Sequence, residues 1–191
     1  MSLFPFELNA HEQVCADFYQ TMTPELRHDM IREWNWDFCP NFLHWVVAQD
    51  DCELGTASLI FWSSCPEDYE MYNENLWPRA TDEYFFTVRE VLERAKENLY
   101  TRQTVGYEIE NFRLTEFKSA LFESDNVEYW ELPNSLKRNV VGSDVPKGLY
   151  FSTYLNMKGV PEHLAPRLKA LDGYLFRYQK EKEANDAGGR A

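Results

Sequence analysis

The sequence predicts a mainly helical fold, a helical bundle or stacked helical hairpins. Three observations carry this. Residues 34–62 hold two apolar runs, 42–48 and 57–62, either side of a short acidic connection, Gln49-Asp50-Asp51-Cys52, which is the pattern of two antiparallel helices joined tightly. Residues 82–100 repeat apolar side chains every three or four positions. Two helix starts carry their own capping residues near the N-terminus. The second half leaves room for a small β element, so α+β is the alternative.

The elements follow in order. Asn9 with Glu12 has the spacing of a capping box, and Val14, Phe18 and Met22 fit a stripe over residues 10–22. Thr23-Pro24 reads as N-cap and first position of a second helix, on which Leu26, Met30 and Trp34 recur at intervals of four. Asn35-Trp36-Asp37 ends it. In the hairpin, Cys39 precedes its first helix and Pro40 takes the first position. Phe42, Trp45 and Val46 share one face, Leu43 and Val47 another. A helix apolar nearly all round is expected to be buried on several sides. Asp50 is the expected N-cap of the next helix, with Glu53 three residues on. Gly55 inside that helix costs about 1 kcal/mol relative to Ala. The expected compensation is close approach of a neighbouring backbone, with Trp34 or Trp45 over the gap.

Thr81 is the expected cap of the helix over 82–100. Phe85, Val88, Leu92, Ala95 and Leu99 form its apolar stripe, and Arg89, Glu90, Glu93, Arg94 and Lys96 its wet face. Beyond Arg102 the period changes. Val105, Tyr107 and Ile109 alternate with polar residues, as do Leu149, Phe151, Thr153 and Leu155, and both stretches read as strands. Residues 115–122 read as a short helix. Helical spacing returns over 160–182 with Leu164, Leu168, Leu171, Leu175 and Tyr178. The domain reading is a helical unit at 1–103, an extension at 104–180 packed on it or merged with it, and a disordered tail at 181–191.

Asn35-Trp36-Asp37, the apolar helix, Cys52-Glu53-Leu54-Gly55-Thr56-Ala57 and Leu59-Ile60-Phe61 together resemble the bacterial domain-of-unknown-function family 4274. The resemblance covers residues 32–72 well and extends to about residue 100. Glu53 stands where the family has Asp, and Trp62 where Tyr is common. The resemblance implies a small helical domain and no established activity.

Composition bounds the function. With 191 residues, 44% apolar and 16% aromatic, the chain can build a real core. No apolar run reaches the roughly 20 residues of a membrane span. The first residues lack the features of a signal peptide, which points to the cytoplasm. Cys15, Cys39, Cys52 and Cys65 form no Cys-x-x-Cys pair and read as buried and reduced. The net charge of −13 is unevenly spread. Residues 1–100 hold 19 acidic and 6 basic side chains, whereas residues 101–191 hold 13 of each. Nucleic acid and anionic membranes are poor partners for the acidic half, and a basic protein is a good one.

No motif singles out an enzyme. His11, His28, His44 and His163 are isolated in sequence, and only His44, inside the apolar helix, is expected to be buried, as a hydrogen-bonded core histidine. No metal, nucleotide or other cofactor signature occurs. The leading reading is therefore a non-catalytic acidic interaction module, in one version an immunity-type protein that neutralises a basic toxin. Its expected contact surface is Glu67, Asp68, Tyr69, Glu70, Tyr72 and Glu74, with Glu128, Tyr129 and Trp130. The alternative is a small-ligand binder or enzyme whose pocket is lined by Trp34, Trp36, His44 and Trp45.

Overall fold

The computed structural model describes residues 2–34, 36, 39–66, 83–123, 132–145 and 166. Six helices are described: α1 (Ala10–Gln20), α2 (Pro24–Arg32), α3 (Pro40–Ala48), α4 (Leu54–Ser63), α5 (Glu83–Lys96) and α6 (Asn111–Glu123). Among the described residues no strand forms. The expected strand over 105–109 reduces to isolated bridges, Val105 to Ser143 and Tyr107 to Val140. Its alternation survives as burial of Val105 and Ile109. The fold is mainly α. The expected cap at Thr81, the strand over 149–155, the helix over 160–182 and the tail lie outside the described residues.

The first two helix starts form as their sequences dictate. Asn9 Oδ1 accepts from the His11 and Glu12 N–H groups, and Glu12 Oε2 accepts from Asn9 N–H at 2.9 Å, a complete capping box. Thr23 caps α2, with Pro24 at its first position. The start of α3 has no cap of its own. Cys39 sits in the left-handed region at φ 54° and makes no side-chain cap bond. Instead the second oxygen of Glu12 accepts from Asn41 N–H at 3.1 Å, so one carboxylate serves the N-termini of two helices. That double use explains why Glu12 is buried.

The hairpin of α3 and α4 is the centre of the fold. Every residue of α4 from Leu54 to Trp62 is buried. On α3, Phe42, Leu43, Val46 and Val47 are buried completely. Helix α3 packs on α1, α4 and α5, while α2 packs on α4. The later segments close the remaining side. Phe117 of α6 stacks edge-on against Trp62 at 5.7 Å between ring centres, and Trp62 Nε1–H donates to the Leu136 carbonyl at 3.1 Å.

Five expectations are corrected here. Asp50 does not cap α4. The helix starts one turn later, with Glu53 at the N-cap position and no side-chain cap bond. Leu54 N–H donates to the Arg102 carbonyl and the Glu53 carboxylate accepts from Thr104 N–H, so a distant segment replaces the local cap. Gly55 does meet a neighbouring backbone, but that of Val105 and Gly106 and not a tryptophan ring. Helix α5 ends at Lys96, which leaves Leu99 beyond the stripe and 41% exposed. Glu90 and Arg94, expected on the wet face of α5, are buried at 0% and 2% exposure. Trp34 lies past the end of α2 and is nonetheless buried.

Candidate functional site

Helix α5 turns Glu90 inward one helical turn before Arg94. The Glu90 carboxylate accepts from Ser2 Oγ at 2.9 Å, from Leu3 N–H at 2.8 Å and from Phe4 N–H at 3.2 Å. His44 Nε2 lies 3.4 Å away, and Arg94 Nη1 lies 3.6 Å from the other oxygen. Burial alone would raise the Glu90 carboxyl, but the bonds from His44, Ser2 and Leu3 overcome it and hold it below the usual range. Arg94 continues the chain of contacts to Asp50 at 3.1 Å and to the face of Tyr100. The Arg94 hydrogen bond in turn lowers the Asp50 carboxyl.

Serine, histidine and glutamate thus meet in one place, yet not as a catalytic triad. A triad uses the two imidazole nitrogens separately, one toward the nucleophile and one toward the acid. Here Ser2 Oγ, at 3.3 Å, and Glu90 both approach Nε2, and Ser2 donates directly to Glu90. The cluster clamps the chain's first residues onto α5. His44 is a hydrogen-bonded core histidine, as its place in an apolar helix suggests. Ser2 and Glu90 were not legible as its partners, because they lie 42 and 46 positions away.

The tryptophans of the ligand-pocket reading sit elsewhere. Trp34 and Trp45 both pack against Phe42, at 4.6 and 6.0 Å between ring centres. Trp36 packs against Tyr84. His44, one position from Trp45 on the same helix, faces Glu90 and Phe6 instead. The structure therefore brings Trp34 and Trp45 together around Phe42 and turns His44 away from them. The surface expected at Glu67, Asp68, Tyr69, Glu70, Tyr72 and Glu74, and that at Glu128, Tyr129 and Trp130, lie outside the described residues.

A cleft of about 890 Å³ opens where α2 and α4 face the segments after Val105 and around residue 140. Its inner wall includes His28, Leu59, Trp62 and Val145, all buried. Arg32 is half-buried and Glu108, Glu110, Asn139 and Asp144 are exposed along its margin. Arg32 Nη1–H donates to the Val145 carbonyl at 2.6 Å, which anchors one nitrogen of its guanidinium. Asn139 Oδ1 accepts from Ile109 N–H at 3.0 Å and ties the two walls together. His28, expected on the surface, is 1% exposed, with Nδ1 3.1 Å from Thr56 Oγ1. Burial and the neighbouring Arg32 push its imidazole down to about 4, so the ring is neutral at neutral pH. Nothing in the sequence around His28 signalled this. Its burial follows from α2 packing on α4.

The four cysteines are free. Cys15, Cys39 and Cys52 are buried and Cys65 is half-buried. A hydrogen bond with Cys39 raises the Cys15 thiol and lowers that of Cys39, and burial pushes the Cys52 thiol up to about 12. Among the described residues no group of three or more His, Cys, Asp or Glu could hold a metal ion. No described helix is long and apolar enough to cross a membrane.

Residues 22–99 match the model of a family described as a domain of unknown function (DUF4274). The match runs from just before α2 through α5, so it begins ten residues before the sequence resemblance at 32 and ends at its outer limit. Helices α1 and α6 and the far wall of the cleft fall outside it. No curated protein and no solved structure matches the chain.

Proposed function

We propose that this chain, which carries a DUF4274 match over residues 22–99, is a non-catalytic acidic module that binds a basic protein. The observation that carries the reading is how the first hundred residues dispose of their positive charge. Arg27 is held by the Tyr19 and Gln20 carbonyls and by Asp51 at 2.7 Å. Arg32 is held by the Val145 carbonyl, Arg89 and Lys96 by Glu93, and Arg94 by Glu90 and Asp50. The described cations of this half are thus each paired, Lys96 at the surface, while Glu7 and Glu97 are exposed. A surface that pairs its cations and leaves carboxylates outside attracts a basic partner at long range.

The contact surface in this reading is the acidic and aromatic stretch with Glu67, Asp68, Tyr69, Glu70, Tyr72 and Glu74, together with Glu128, Tyr129 and Trp130. Tyrosines and a tryptophan supply anchors and the carboxylates supply steering. An immunity-type protein that neutralises a basic toxin, such as a nuclease, has these requirements. This last step is analogy of charge and size. The test is an affinity pull-down of the tagged protein from extract of its source, at low and then high salt. A stoichiometric basic partner lost at high salt supports the reading. A partner that is acidic, or that is retained unchanged at high salt, overturns it.

A further inference from the structure

We infer that the cleft between α2, α4 and the segments around residues 106–113 and 139–145 binds a small zwitterion, an α-amino acid or a short peptide with both ends free. Its carboxylate would lie against Arg32 and His28, and its ammonium against Glu108, Glu110 and Asp144. This proposal does not depend on the preceding reading.

Three observations carry the assignment. The first is volume: about 890 Å³ lies within the roughly 300–1,000 Å³ of small-molecule sites. The second is a buried histidine with one ring nitrogen to spare on the cleft wall. His28 is 1% exposed and lines the cleft, its Nδ1 is taken by Thr56, and its Nε2 has no partner among the described residues. A ring nitrogen left in this way on a cleft wall is open to a ligand or water. Beside it, the Arg32 guanidinium is anchored through Nη1 alone, and its Nε and Nη2 have no partner among the described residues. A guanidinium edge is the preferred receptor for a carboxylate.

The third observation is the order of charge along the cleft. Arg32, beside the neutral imidazole, and Arg113 are half-buried, and the three carboxylates are exposed. A simple anion meets those three carboxylates, and a simple cation meets Arg32 and Arg113. A ligand carrying both charges satisfies both ends. The apolar wall of Leu59, Trp62 and Val145 suits the carbon skeleton between them.

The test is titration of the full chain with glycylglycine and with an equimolar mixture of the common amino acids, read by the His28 ring resonances and by calorimetry. N-acetylglycylglycine and glycylglycine amide remove one charge each. Binding of either zwitterionic probe is expected, weakened at least about tenfold by loss of either charge. The bound carboxylate should also move the His28 midpoint upward. Arg32→Gln should abolish binding. Because Arg32 also anchors Val145, the double variant Glu108→Gln/Glu110→Gln is the second arm. It alters only exposed side chains and should weaken the dipeptide while leaving the acetylated compound unchanged. No response to either zwitterionic probe overturns the assignment, and so does equal binding of the acetylated, amidated and free dipeptides.

Discussion

A Cβ built on Gly55 would lie 2.5 Å from the carbonyl oxygen of Val105. The first turn of α4 and the segment after Arg102 therefore touch backbone to backbone. Gly142 continues the layer on the other side, where an added Cβ would collide with Val105 and Gly106. Gly55→Ala would gain about 1 kcal/mol of helix propensity. The obstacle is a carbonyl and not a flexible side chain, so overpacking should outweigh that gain, with a net loss of about 2 kcal/mol. Urea unfolding of the variant checks this, and a variant as stable as the parent would refute the backbone contact.

Glu90 holds the chain's first residues and Arg94 at once. Glu90→Gln removes the buried one of the two carboxylates on Arg94, leaving the exposed Asp50, and should cost on the order of 3 kcal/mol. It should also release the Leu3 and Phe4 amides, seen as faster hydrogen exchange at both. The folded Glu90 carboxyl is depressed, so its contribution is complete above its ordinary value and is lost as pH falls through the folded one. The variant's deficit should therefore shrink in acid. A deficit constant with pH would contradict the depressed carboxyl.

His28 acts in the same pH direction for the opposite chemical reason. The unfolded imidazole takes a proton below its ordinary 6.5, and the folded one only near 4. Between those values the unfolded state binds more protons, so stability falls as pH falls. At about 1.36 kcal/mol per unit, the loss by pH 4 is on the order of 3 kcal/mol. A titration of the His28 ring signals in the folded protein measures the midpoint directly. A midpoint near 6.5 would mean that the ring is solvated.

Thiol reactivity should separate the cysteines by burial. In the native protein at mildly alkaline pH, Cys65 should react first with a disulfide reagent, since it is half-buried and Cys15, Cys39 and Cys52 are buried. Cys65→Ser should remove the fast phase. The remaining thiols should react at the rate of unfolding.

The Asn9–Glu12 capping box contributes through two helices. Asn9→Ala removes one cap and should cost about 1 kcal/mol. Glu12→Gln disturbs both the Asn9 and the Asn41 amides and should cost more. Equal losses in thermal unfolding would show that the bond to Asn41 adds nothing.

The sequence by itself determined the helices, because their signals are local. The cap at Asn9, the Thr23-Pro24 start and the apolar stripes of α3 and α5 all depend on residues within a turn or two, whereas Gly55 signalled a close approach without naming Val105 and Gly106 as the backbone that makes it. The family resemblance rests on the same contiguous stretch. The tertiary structure decided the polar interior. Glu90 and Arg94 look like a solvated face because their residue types favour water. They are buried because Ser2, His44 and Asp50, each more than forty positions away, complete their hydrogen bonds. Asp50 fails to cap α4 for the same reason, since Arg94 takes its carboxylate and Arg102 starts the helix. His28 becomes a buried neutral ring only when α2 lies on α4. Spacing along a chain encodes which residues share a face. It does not encode which distant partner makes burying a charge affordable.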